Sequence, residues 1–146
     1  MVTTYPRVPA DGVEFELTLE ATDPLEMVRL EGGNSEGWSF RGSPIVPQTS
    51  RFKLIRARDC WNLHEVRVNL NKHGSIPGGQ WREAFRKAFP QCDGKGPIGF
   101  ADASWVNPTD CLFYPVLDGK SGAWESYFCP VYFDTINWRW LVEISK

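Results

Sequence analysis

Ile136-Asn-Trp-Arg-Trp-Leu-Val-Glu-Ile-Ser145 is the stretch on which the fold turns. Ile136, Trp138, Trp140, Val142 and Ile144 occupy alternate positions, with Asn137, Arg139, Leu141, Glu143 and Ser145 between them. A two-residue period sends successive side chains to opposite sides of a sheet, which predicts a strand with one apolar and one mostly polar face. Two indoles on one face are more surface than a lone strand can hide. The rest of the chain, or a second copy of it, must supply their floor.

Immediately upstream, Cys111–Leu117 and Trp124–Phe133 read as a hairpin around Asp118–Gly122, and Asp134-Thr135 turns the chain into the final strand. A loop symmetric about Lys120 sets Cys111 opposite Cys129. Pro115 and Pro130 cannot donate to a ladder, so each belongs at an edge or a bulge. Ile98–Val106 reads as one further strand, ended by an Asn107-Pro108-Thr109-Asp110 turn.

A helix is expected over Gln80–Phe89. Trp81, Ala84, Phe85, Ala88 and Phe89 recur at helical spacing, Arg82, Glu83, Arg86 and Lys87 face away, and Pro90 stops it. In the first half, residues 1–11 form an extended arm. Val13, Phe15, Leu17 and Leu19 then alternate with Glu14, Glu16, Thr18 and Glu20 in a strand. Asp23-Pro24 caps a helix over Leu25–Leu30, or the same residues form a strand; Gly32-Gly33 ends either. Residues 32–50 are turn-rich, with room for a short strand around Trp38–Phe40. Arg51–Arg58 and Glu65–Leu70 read as strands, the second with Val66, Val68 and Leu70 inward. The expected fold is a single α+β domain over residues 1–146, mainly antiparallel. It is a curled sheet or half-barrel of about six to eight strands with the Gln80–Phe89 helix packed on it.

Composition narrows the function classes. At 146 residues and 42% hydrophobic content the chain can build one core. A net charge of −2 argues against nucleic acid or an anionic membrane as partner. No apolar run approaches the ~20 residues of a membrane span, and the first ten residues show no secretory pattern, so a cytoplasmic location is expected. Cys60, Cys92, Cys111 and Cys129 have no metal-site spacing and read as reduced, half-buried thiols. With His64 and His73 the only histidines, no metal and no cofactor is expected.

Motifs for nucleophile elbows, zinc proteases, phosphate loops and dinucleotide folds are missing from the sequence. Three weaker constellations remain. Lys72, His73 and Ser75 lie in a glycine-rich loop before the helix, where free N–H groups favour an anion. Arg51, Lys53, Arg56, Arg58 and Arg67 form a basic set whose favoured role is pairing with Glu14, Glu16 and Glu20 rather than anion binding. Trp38, Asp102, Trp105, Asp110, Trp124, Glu125 and Tyr127 form an acidic and aromatic set, with Asp102 on the same strand face as Ile98 and Phe100. A carboxylate inside an aromatic cavity would recognise cations or polar ligands.

The aromatic content of 14% without a catalytic motif points to a small soluble accessory protein of bacterial type. Its expected role is non-catalytic binding of a small molecule or peptide in an aromatic-lined cleft. The first alternative is a protein-interaction module, a homodimer or a protein that neutralises a partner through an aromatic sheet face. The second is a hydrolase-type enzyme using His73 or the Asp102 and Asp110 carboxylates.

Overall fold

The computed structural model describes residues 6–31, 35–43, 45–119, 123–132 and 134–144. The Gly32-Gly33 stop, the Lys120 loop centre, Phe133 and Ser145 lie outside them. The elements run β1 (Phe15–Leu19), α1 (Pro24–Leu30), β2 (Ser39–Phe40), β3 (Gln48–Arg56), α2 (Leu63–Leu70), α3 (Trp81–Ala88), β4 (Gly96–Gly99), β5 (Trp105–Val106), β6 (Leu112–Gly119), β7 (Trp124–Pro130) and β8 (Arg139–Glu143). The strands form one open sheet in the order β1-β3-β8-β4-β6-β5-β2, and β7 pairs with β6 as an antiparallel hairpin. Pairing is antiparallel throughout except between β4 and β8.

β8 is central rather than half-solvated. Arg139, Trp140, Leu141 and Val142 are all buried. Leu141 faces a cluster with Leu17, Phe52, Leu54, Ile98 and Leu117, covered by Trp81 and Phe85 of α3 and by Phe89 at its C-cap. Trp140 and Val142 face the other way, onto Val66 and Leu70 of α2 and Tyr114 and Val116 of β6. The floor of the Trp138 and Trp140 pair, whose rings stack 5.9 Å apart, is therefore α2. The α3 face and the Phe15–Leu19 strand cover Leu141 instead. Gly99 pairs with Trp140 across the parallel ladder, and a Cβ there would enter the indole.

The polar position on the α3 side of β8 is also explained. Arg139 is 1% exposed, and its guanidinium grips Asp93 with Nη1–Oδ2 at 2.6 Å and Nη2–Oδ1 at 3.0 Å. Burial pushes the Asp93 carboxyl up. The hydrogen bonds from Arg139 and the Lys95 N–H, with the charges of both residues, outweigh that and hold it below its ordinary value.

Several elements depart from the sequence reading. Leu63–Leu70 is a helix, because Leu63, Val66 and Leu70 meet the core at helical spacing while Val68 is 50% exposed. Asn62 caps it, accepting the Glu65 N–H at 2.9 Å. Leu25–Leu30, which the sequence leaves open between helix and strand, is helical; Asp23 accepts the Leu25 N–H and Pro24 sets the first turn. Sheet and helices thus make three layers, with helices on both faces. Ile98–Val106 is broken into β4 and β5. In the hairpin, Tyr114 faces Cys129 and Leu112 accepts the Val131 N–H, so Cys111 is not opposite Cys129; the ladder is offset from symmetry about Lys120. Cys111 is exposed and Cys129 buried. Pro115 donates nothing, and its carbonyl takes the Phe100 N–H in the gap between the β4 and β5 ladders, so its imino side falls where no ladder bond is due.

Arg82 on α3 is fully buried rather than outward. Its Nη2 donates to Glu31 at 2.5 Å, its Nε to Glu83 at 2.9 Å and its Nη1 to the Tyr127 carbonyl at 3.3 Å, over the Phe128 ring. The helix thus has a second contact, with α1 and β7, on the side that periodicity assigned to water.

If α2 is a helix with Leu70 at its core face, Leu70→Ala should lower the unfolding free energy in urea by about 2–5 kcal/mol, and Val68→Ala by under about 0.5 kcal/mol. Comparable losses at both positions would fit a strand instead. The depressed Asp93 carboxyl stabilises the fold at pH above its unfolded value, and that contribution disappears as pH falls through the folded value. Stability of Asp93→Asn measured against pH should therefore fall less steeply than wild type below the ordinary Asp value of about 3.9.

Candidate functional site

Asp102 sits where the sheet is interrupted. After β4, the Asp102 N–H donates to the Phe100 carbonyl at 2.7 Å, an i+2 to i closure that turns the chain out of the ladder. The side chain then meets the start of α3. Gln80, at the N-cap of α3, makes no side-chain capping bond, and the Gly79 N–H donates instead to Asp102 Oδ2 at 2.8 Å. Ser104 Oγ donates to Asp102 Oδ1. Gly79 is required here, since a Cβ would lie 2.5 Å from Trp105 and 2.6 Å from Pro115.

Around this carboxylate is a cavity of about 330 Å³, whose lining includes Gly42, Ile45, Arg67, Gly78, Gln80 and Ser104. Gln80 is 1% exposed, and its Oε1 accepts no hydrogen bond among the described residues. Arg67 Nη1 donates to the Ala101 carbonyl at 2.8 Å, which places a guanidinium beside Asp102 without an ion pair between them. Asp102, Gln80 and Arg67 thus line one polar concavity. Donors of a ligand would meet the first two and an anionic group the third.

The other residues of the acidic and aromatic set do not join it. Trp105 is fully buried, its Nε1–H donating to the Pro24 carbonyl at 2.9 Å and its ring packed on Phe40 and Phe128. Trp38 is half-buried against Phe113 and Phe128 in the same cluster. Trp124 donates its N–H to the Phe89 carbonyl at 2.6 Å and packs on Phe85. Tyr127 lies on the α2 side of the sheet, where burial first and the charge of Asp118 second push its hydroxyl upward. Glu125 is exposed opposite Asp118. Asp110 is exposed in a left-handed turn and pairs with Arg41 at 3.2 Å.

The anion constellation also separates. Ser75 exchanges both backbone hydrogen bonds with Glu143, which makes it a short extension of the sheet. Lys72 and His73 are exposed at the end of α2. His73 lines a surface groove with Lys53, Arg56 and Arg58, and Ser75 does not. Of the basic set, Arg51 pairs with Glu14 at 3.1 Å, while Glu20 pairs with Lys87 and Arg56 with Asp11. Among the described residues, no group of three His, Cys, Asp or Glu side chains is placed to hold a metal ion, and no helix is long and apolar enough to cross a membrane.

Sequence reading selected Asp102 and missed Arg67 and Gln80 as its neighbours. Arg67 was hidden by the strand assignment of Glu65–Leu70. The signal for Gln80 was present: a polar residue directly after Gly78-Gly79 at a helix start. Comparison with protein-family models, with curated proteins and with solved structures finds no match to this chain.

Asp102 is a cap as well as a candidate ligand. Asp102→Ala leaves the buried Gly79 N–H without an acceptor and should cost about 1–3 kcal/mol of unfolding free energy in urea. Asp102→Asn keeps an acceptor and should cost less.

Proposed function

We propose that this chain is a non-catalytic binding protein that takes a small amine-bearing zwitterion, amino acid in size, in the Asp102 cavity. The observation that carries the proposal is the buried Gln80 amide, whose Oε1 accepts no hydrogen bond among the described residues, in the lining of the cavity that Asp102 also lines. An unsatisfied buried acceptor is costly, and a turn of the Gln80 side chain into the cavity would let an entering ammonium group donate to it and to Asp102 together. Arg67, held on the Ala101 carbonyl, faces the same space and suits the carboxylate of such a ligand. The cavity volume of about 330 Å³ lies at the small end of the range for ligand sites, which favours a compact ligand over a peptide. The aromatic side chains that first suggested a cleft are engaged elsewhere, so stacking on a sugar or base has less support.

Thermal unfolding and calorimetry with a panel of free amino acids, simple amines, monosaccharides and nucleotides test the proposal. At least one amino acid should raise the melting temperature. Asp102→Asn should weaken that binding about 10–100-fold, the loss of one charge-assisted hydrogen bond. No response to any amine, or an affinity unchanged in Asp102→Asn, would sink it.

A further inference from the structure

We infer that the groove at the carboxyl end of β3, bordered by Lys53, Arg56, Arg58 and His73, binds a small polyvalent phosphoryl anion. The inference rests on this groove alone and does not depend on the Asp102 cavity.

Three permanently charged cations and an imidazole border a space of about 330 Å³, and Asp11 is the single carboxylate in its lining. In a chain of net charge −2, that imbalance is local and marked. The sequence offers Glu14, Glu16 and Glu20 as neutralising partners, but none of the three lines the groove. Glu14 takes Arg51, and Glu20 crosses to Lys87 on α3. Asp11 meets only Arg56, at 3.6 Å, and Arg56 is further fixed by donating to the Asn137 carbonyl at 2.6 Å. Lys53 and Arg58 have no ion-pair partner among the described residues.

Lys53 is half-buried opposite Val142 on the central strand, so part of its stem lies on apolar surface and its ammonium has a narrow range of positions. Arg58 follows the strand end and is exposed. His73 follows α2, its N–H and that of Gly74 both closing on the Leu70 carbonyl. Lys53, Arg56 and Arg58 come from β3 and the two residues after it, and His73 adds an imidazole from beyond α2. Guanidinium forks match phosphoryl oxygens in pairs, and several cations exceed what one carboxylate needs. The short basic border of this surface groove suits a compact di- or oligophosphate better than a nucleic-acid strand, which needs an extended basic track.

Calorimetric titration of the full chain with pyrophosphate, orthophosphate and a single-stranded DNA oligonucleotide, at low and moderate salt, tests the inference. Pyrophosphate should bind at least tenfold more tightly than orthophosphate, with affinity falling as salt rises. The double variant Lys53→Met, Arg58→Ala should lose at least tenfold of that affinity with its ligand-free melting temperature unchanged. Lys87→Ala, away from the groove, and Asp102→Asn should bind pyrophosphate as wild type does. No measurable pyrophosphate binding, an equal loss in Lys87→Ala, or tighter binding of the oligonucleotide than of pyrophosphate would overturn it.

Discussion

The structure depends on a strand that has no solvent side. β8 carries Trp140 and Val142 toward one helix and Arg139 and Leu141 toward another, and a strand buried on both faces requires a layer on each. Its two polar demands follow from that position. Arg139 can be buried because Asp93 meets its fork with two oxygens and the Gly96 carbonyl accepts from Nη2 at 3.3 Å. A buried pair of this kind adds little net stability over apolar residues of the same shape, but losing one partner strands the other charge. It therefore ties the segment after α3 to the sheet centre. The parallel ladder of β4 with β8 is the second demand, since it needs the chain between them to cross over and return.

Local patterns were legible where one physical rule acted alone. The apolar stripe of α3, the Phe15–Leu19 alternation and the Asn107–Asp110 turn are each specified by adjacent residues, whereas the sequence leaves Leu25–Leu30 open between helix and strand. Asn107 shows how fully: its side-chain oxygen accepts from the Thr109 and Cys111 N–H groups. Legibility failed where two rules competed. Val66, Val68 and Leu70 alternate like a strand, yet Leu63, Val66 and Leu70 also fit a helix. The Asn62-Leu-His-Glu65 cap, with Asn62 bonded to Glu65 through both its N–H and its carboxylate, decides it. In the hairpin Gly119 faces Trp124 and Tyr114 faces Cys129, so the ladder is centred past Lys120.

The candidate site was half legible. Alternation from Ile98 through Phe100 placed Asp102 on the core side; the residue is half-buried and lines the concavity. It arrives there through the turn at Phe100, not through strand parity. The tryptophans misled for a different reason. An indole has one N–H, and Trp105 and Trp124 find backbone carbonyls for theirs, so these large rings can enter the core without a polar cost. Aromatic surplus in a sequence is thus weak evidence for a cleft when carbonyls at strand ends and helix ends are available to receive the N–H groups.

Positioning of Asp102 ultimately rests on Arg82. The Gly79 N–H can reach that carboxylate only if α3 begins at a fixed place, and a helix lying on flat apolar surface is free to slide and rotate. The buried Arg82 removes that freedom by reaching α1 through Glu31 and β7 through the Tyr127 carbonyl, while Ser126 donates to Glu31 at 2.7 Å and closes the ring. Arg86 adds a bond to Ser126 Oγ at 2.8 Å. Three elements distant in sequence are thereby held in one register by directional bonds, which dispersion contacts among Phe85, Phe89 and Phe15 do not provide. The charged network on one side of α3 fixes its axis, and the cap and cavity at its amino end inherit that geometry.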